Sequence, residues 1–70
     1  MAEDKERFVN AVVEALIACG DGRYDWLMEQ QVHYGERNGT QFIETPSHIR
    51  YDITCDSLTS IMGVIKRIVE

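Results

Sequence analysis

Ser47 and His48 are adjacent in the chain, and His33 is the other histidine. A serine beside a histidine is the start of an activated nucleophile, provided a third group orients the base and a pocket admits a substrate. Serine is equally an ordinary turn residue after proline, and no sequence motif with a catalytic mechanism is present. Enzymatic activity is therefore not expected. His33 and His48 would meet diagonally across neighbouring strands, with Glu29 or Asp52 nearby, which are the ligand types of a transition-metal site. Their spacing matches no recognised ligand pattern, and solvated histidines explain the same residues, so no metal or other cofactor is expected. Cys19 and Cys55 form no C-x-x-C pair, and both fall on apolar faces of predicted elements. That suits two reduced core thiols in a cytosolic protein; a disulfide between them is the alternative.

The carboxylates are the more informative group. Twelve Asp and Glu against seven Lys and Arg give a net charge of −5 and a pI near 4.8. Clustered basic residues supply most of the affinity for a phosphate backbone, so this balance argues against direct binding of nucleic acid. It fits a basic partner, or serves solubility alone. Glu3, Asp4, Glu6 and Glu14 fall on the first predicted helix, and Asp21, Asp25 and Glu29 continue its negative side as a row. Glu36, Glu44 and Asp52 follow. A row of carboxylates can imitate a phosphate backbone and occupy a basic groove; the alternative is a solvated face.

The elements that position these residues follow from hydrophobic period. Phe8, Val9, Val12, Val13, Leu16 and Cys19 recur at helical spacing and predict a helix over 4–19, ended by Gly20. From Tyr24 the spacing changes to alternation. Tyr24, Trp26, Met28, Val32 and Tyr34 predict a strand over about 24–36 with these side chains inward. The alternative is a short helix capped by Asp25, with the sheet beginning near Gln31. Strands over about 40–45 and 48–55 follow, then a helix over 56–69 carrying Leu58, Ile61, Met62, Ile65, Ile68 and Val69 on one stripe. A three-residue loop Arg37-Asn38-Gly39 and a two-residue turn Pro46-Ser47 place Tyr34, Phe42 and Tyr51 in one row on the core face. The open face then shows Asp25, Leu27, Glu29, Gln31, His33, Gln41, Ile43, Arg50, Asp52 and Thr54.

The expected fold is α+β, an α-β-β-β-α two-layer sandwich in which two helices cover one face of a three-stranded antiparallel meander. This order of elements resembles the double-stranded RNA-binding domain. The resemblance implies RNA binding through a basic cluster at the start of the second helix. Here that stretch is Cys55-Asp56-Ser57-Leu58-Thr59-Ser60, acidic and neutral, so the likeness is one of topology.

Seventy residues form one small domain whose core supplies little net stability, which favours association. Leu27 and Ile43, with the aliphatic parts of Gln31 and Arg50, are one candidate contact patch. Ser60 and Gly63 are another, a smooth helix surface that another backbone could approach. Asp21, Asp25 and Glu29 are the third, acidic one. The leading expectation is a non-enzymatic interaction module, an inhibitor or adaptor for a larger basic protein. In size and charge it is similar to phage-encoded anti-CRISPR proteins. The alternatives are a structural homodimer joined through the open sheet face or edge strands, and an RNA-binding domain by topology. The first residues lack the order of a signal peptide, and no apolar run approaches the ~20 residues of a membrane span, so a cytoplasmic location is expected.

Overall fold

Val9, Val12, Val13 and Leu16 recur every three or four residues, and they lie on the inward side of a long helix, α1 (Ala2–Cys19). The computed structural model describes residues 2–29 and 31–70, with the side chains of Ala2 and Glu3 left out. The expected place of the Glu3 side chain among the carboxylates of the first helix therefore lies outside what is described. Gly20 ends α1 because no larger residue fits. A Cβ there would stand 2.7 Å from the Leu16 carbonyl oxygen and 2.6 Å from the Tyr24 ring.

The segment after Gly20 departs from the expected strand. Asp25–Glu29 is a 3₁₀ turn, and the first strand, β1, is only His33–Arg37. A 3₁₀ turn superposes residues three apart, so Tyr24 and Leu27 face inward together, while Trp26 and Met28 point out, 42% and 66% exposed. Alternation had assigned the opposite: Trp26 and Met28 inside, Leu27 outside. The alternative reading, a short helix from Asp25 with the sheet beginning later, is the one the chain follows.

β1 continues through Asn38 and Gly39 into β2 (Thr40–Glu44), and β3 (Arg50–Asp52) completes an antiparallel sheet in the order β1-β2-β3. Asn38 and Gly39 both have positive φ, 53° and 84°. That is the two-residue primed turn whose twist matches the strands it joins. Arg37 thus pairs with Thr40, Gly35 with Phe42 and Tyr34 with Ile43. The second loop is the longer one. His48 N–H donates to the Thr45 carbonyl at 2.9 Å, Thr45 N–H donates to the Ile49 carbonyl at 3.1 Å, and His48 takes a left-handed φ of 63°. Pro46, Ser47 and His48 therefore form a three-residue loop, and Ile43 pairs with Tyr51.

The two loops exchange the lengths expected of them. The errors cancel between β1 and β3, so Tyr34 and Tyr51 share a face as expected, but β2 is turned over. The central row is Tyr34, Ile43 and Tyr51. Ile43 is fully buried, and Phe42 lies on the outer face.

Ser57 caps α2 (Leu58–Val69), its hydroxyl accepting from Ser60 N–H. Ile61 and Ile65 are buried and join Val9, Leu27, Val32, Ile43 and Ile53 in one core. The architecture is α-β-β-β-α with both helices over the inner face of the sheet, as expected. Neither cysteine is in that core. Cys19 closes α1 and Cys55 lies in the turn after β3, where the inward period has lapsed; both are free and exposed. No helix among the described residues is long and apolar enough to cross a membrane.

The left-handed residues Gly39 and His48 predict substitutions of opposite sign. A Cβ on Gly39 meets nothing within 4 Å, so Gly39→Ala costs only backbone strain, about 1 kcal/mol. His48→Gly relieves the same strain and gains about 0.5–1 kcal/mol. Urea-unfolding midpoints of the two variants check both signs.

Candidate functional site

Three parts of the surface are built from functional side chains. The first is a groove between α1 and β1. Glu6, Asn10, Val13, Glu14 and Ile17 recur on one side of α1 and form one wall. Leu27 and Met28 of the 3₁₀ turn, with Val32, His33 and Tyr34, form the other, and the open groove between them has a volume of about 450 Å³. Glu6 and Glu14 are exposed and set the charge of the rim, while Val13 and Ile17 are half-buried between them. The Tyr34 hydroxyl is shut off from solvent and has no hydrogen-bond partner among the described residues. Leaving such a group unpaired costs about 1–3 kcal/mol.

The second part is the outer face of the sheet. Because β2 is turned over, His33, Glu44 and Arg50 lie in one row across the three strands. Arg50 Nε donates to Glu44 Oε2 at 2.9 Å, and His33 Nε2 lies 3.4 Å from Glu44 Oε1. The hydrogen bond from Arg50 holds the Glu44 carboxyl below its ordinary value, with the nearby charges of Arg50, His33 and His48 acting in the same direction. In the next row the Phe42 ring lies over Gly35, where a Cβ would come within 2.6 Å of the ring carbons. The Arg50 guanidinium sits 4.7 Å from the ring centroid on the Phe42 side. Arg50 is thus occupied twice, as an ion-pair partner and as a cation over an aromatic face.

The third part anchors the first two to each other. Lys5 Nζ donates to the Gln41 side-chain oxygen at 2.9 Å, to the Ile53 carbonyl at 2.9 Å and to the Thr54 carbonyl at 2.6 Å. Asp52 accepts from Thr54 N–H at 2.9 Å, and that backbone hydrogen bond, followed by the Thr54 side chain and the charge of Lys5, lowers its carboxyl pKa. One lysine of α1 so closes the end of the sheet where β2 and β3 meet.

The residues singled out in the sequence fall apart on the structure. Asp21, Asp25 and Glu29 are exposed in the segment between α1 and β1. Leu27 and Ile43, expected as an exposed contact patch, are 1% and 0% accessible. The 3₁₀ turn buries the first and the Asn38-Gly39 register buries the second, so no patch of that composition exists. Gln41 is also buried rather than on the open face. Arg50 is on the outer face as expected. Ser60 and Gly63 are exposed on α2, and a Cβ added to Gly63 would meet nothing within 4 Å. His48 sits in the β2–β3 loop and His33 on β1 beside Glu44. The groove wall of Glu6, Asn10, Val13, Glu14 and Ile17 was missed as a unit. Its signal was available, since carboxylates border the apolar stripe of α1 at helical spacing.

No known protein family, curated protein or solved structure matches the sequence.

The ion pair around Glu44 sets a pH dependence. Its folded pKa is depressed, so the stabilising effect of its charge is present above the ordinary value of 4.5 and is lost as pH falls through the lowered one. Below that ordinary value the native protein loses stability more steeply than Glu44→Gln, and unfolding midpoints measured from pH 6 down to about pH 3 check the difference. Gly63→Ala fills open space inside an exposed helix and stabilises the protein by about 1 kcal/mol, read as a rise in thermal midpoint.

Proposed function

We propose that this chain is a non-enzymatic protein-interaction module that engages a basic surface of a larger partner, as an inhibitor or adaptor. The observation that carries this reading is the placement of charge along the chain. Residues 1–29 hold seven of the twelve carboxylates and three of the seven basic side chains, so −4 of the net −5 comes from α1 and the segment after it. Glu6 and Glu14 of this segment border a groove whose walls include the half-buried Val13 and Ile17 and the exposed Met28. Charge around an apolar strip steers a partner of opposite sign and lets buried area hold it. The rest of the chain is nearly balanced, with five carboxylates against four basic side chains. The outer sheet face pairs its charges internally through Glu44 and Arg50.

Affinity capture from lysate, analysed by mass spectrometry, tests the reading. The native protein retains basic proteins at low salt and releases them as salt rises, because the attraction is screened. A Glu6→Lys/Glu14→Lys variant that folds normally loses them. Recovery of no partner at low salt, or an unchanged set with the variant, overturns the reading.

A further inference from the structure

We infer that the free edge of β1 is a strand-addition site for an extended basic segment of the partner, whose inward side chains enter the groove beneath Glu6 and Glu14. This rests on the interaction-module reading and adds to it the place and mode of binding. β1 is an outer strand, with only β2 beside it. Ile53 N–H donates to the Gln41 carbonyl at 2.8 Å, so the peptide groups of Gln41 face β3. Along an antiparallel strand these directions alternate. Those of Phe42 therefore face Gly35 of β1, and within β1 the N–H and C=O of Tyr34 and Glu36 point away from the sheet. No described residue pairs with them. An unpaired row of donors and acceptors is a template for another strand.

The groove lies along this same edge, because Val32, His33 and Tyr34 form one of its walls. A strand added beside Tyr34 and Glu36 directs every second side chain to the inner side, toward α1. Glu6 and Glu14 are eight residues apart on that helix, about 12 Å along its axis. Side chains i and i+4 of a strand are separated by about 13 Å. Basic residues at i and i+4 so have the spacing of the two carboxylates, and the residue at i+2 falls midway, level with Asn10 of the same wall. A second copy of this chain is disfavoured as the occupant. Pairing through β1 would bring the acidic rims of two chains together, each molecule carrying −5.

The probe is the synthetic seven-residue peptide Thr-Lys-Thr-Val-Thr-Lys-Thr; a peptide of the same composition with its lysines at one end is the control. In low salt, saturating alternating peptide slows hydrogen exchange at the Tyr34 and Glu36 amides about tenfold or more, and the control binds about tenfold more weakly. Glu6→Lys/Glu14→Lys weakens binding by a similar factor. Glu36→Pro abolishes it while the circular dichroism spectrum is kept, because the N–H that proline removes faces away from β2; Glu36→Gln binds nearly as the native protein does. Binding that depends on Glu6 and Glu14 but leaves the Tyr34 and Glu36 amides unprotected, or survives Glu36→Pro, overturns strand addition and leaves the acidic-module reading standing. Absence of binding by either peptide overturns strand addition, and the capture experiment then decides the broader reading alone. Protection of the two amides without peptide, together with a dimer in sedimentation, assigns the edge to a second copy and overturns the inference.

Discussion

The two-residue turn at Asn38 and Gly39 decides which side chains of β2 enter the core. Both residues are left-handed, a conformation that asparagine tolerates and glycine adopts without steric cost. With two residues in the loop rather than three, Ile43 faces inward between Tyr34 and Tyr51, and Gln41 faces the end of α1. The same choice sends Phe42 and Glu44 outward. The outer face, the ion pair of Glu44 with Arg50 and the ring over Gly35 all depend on that parity.

What the turn establishes within the sheet, Lys5 carries to the helix layer. Its ammonium reaches the Gln41 side chain and two carbonyls beyond β3, of which that of Ile53 also accepts from Asp56 N–H. Three charge-assisted hydrogen bonds from one donor use its full capacity. They tie the first turns of α1 to β2 and to the chain after β3, elements far apart in sequence. Apolar burial by Val9, Ile61 and Ile65 brings the layers together without regard to direction. Lys5 supplies the direction, and with it the position of Glu6 beside the groove.

The surface divides by how its charges are satisfied. On the sheet Glu44 and Arg50 pair locally, and the strands hold three carboxylates against two guanidinium groups, which leaves little net field. On α1 and the following segment the carboxylates outnumber their basic neighbours and stand beside apolar side chains. The interaction-module reading draws on that contrast, since uncompensated charge acts at a distance while paired charge does not.

The amino-acid sequence by itself determined the two helices and the presence of three strands, because these follow from local period: Phe8 to Leu16 and Ile61 to Ile65 at helical spacing, Tyr51 and Ile53 at alternate positions. It also determined the net charge and its concentration before residue 30. Tertiary structure decided the faces. Leu27 could not be placed by alternation because a 3₁₀ turn has a different period, and Trp26 and Met28 are helix-tolerant as well as strand-forming. Ile43 could not be placed because either loop length is compatible with Asn38-Gly39, and only packing against the helices separates the two parities. Cys19 and Cys55 fall at the ends of their elements, where the period that predicts burial no longer holds. The groove is tertiary for the same reason. Its walls come from α1, the 3₁₀ turn and β1, and no local pattern states that those three lie side by side.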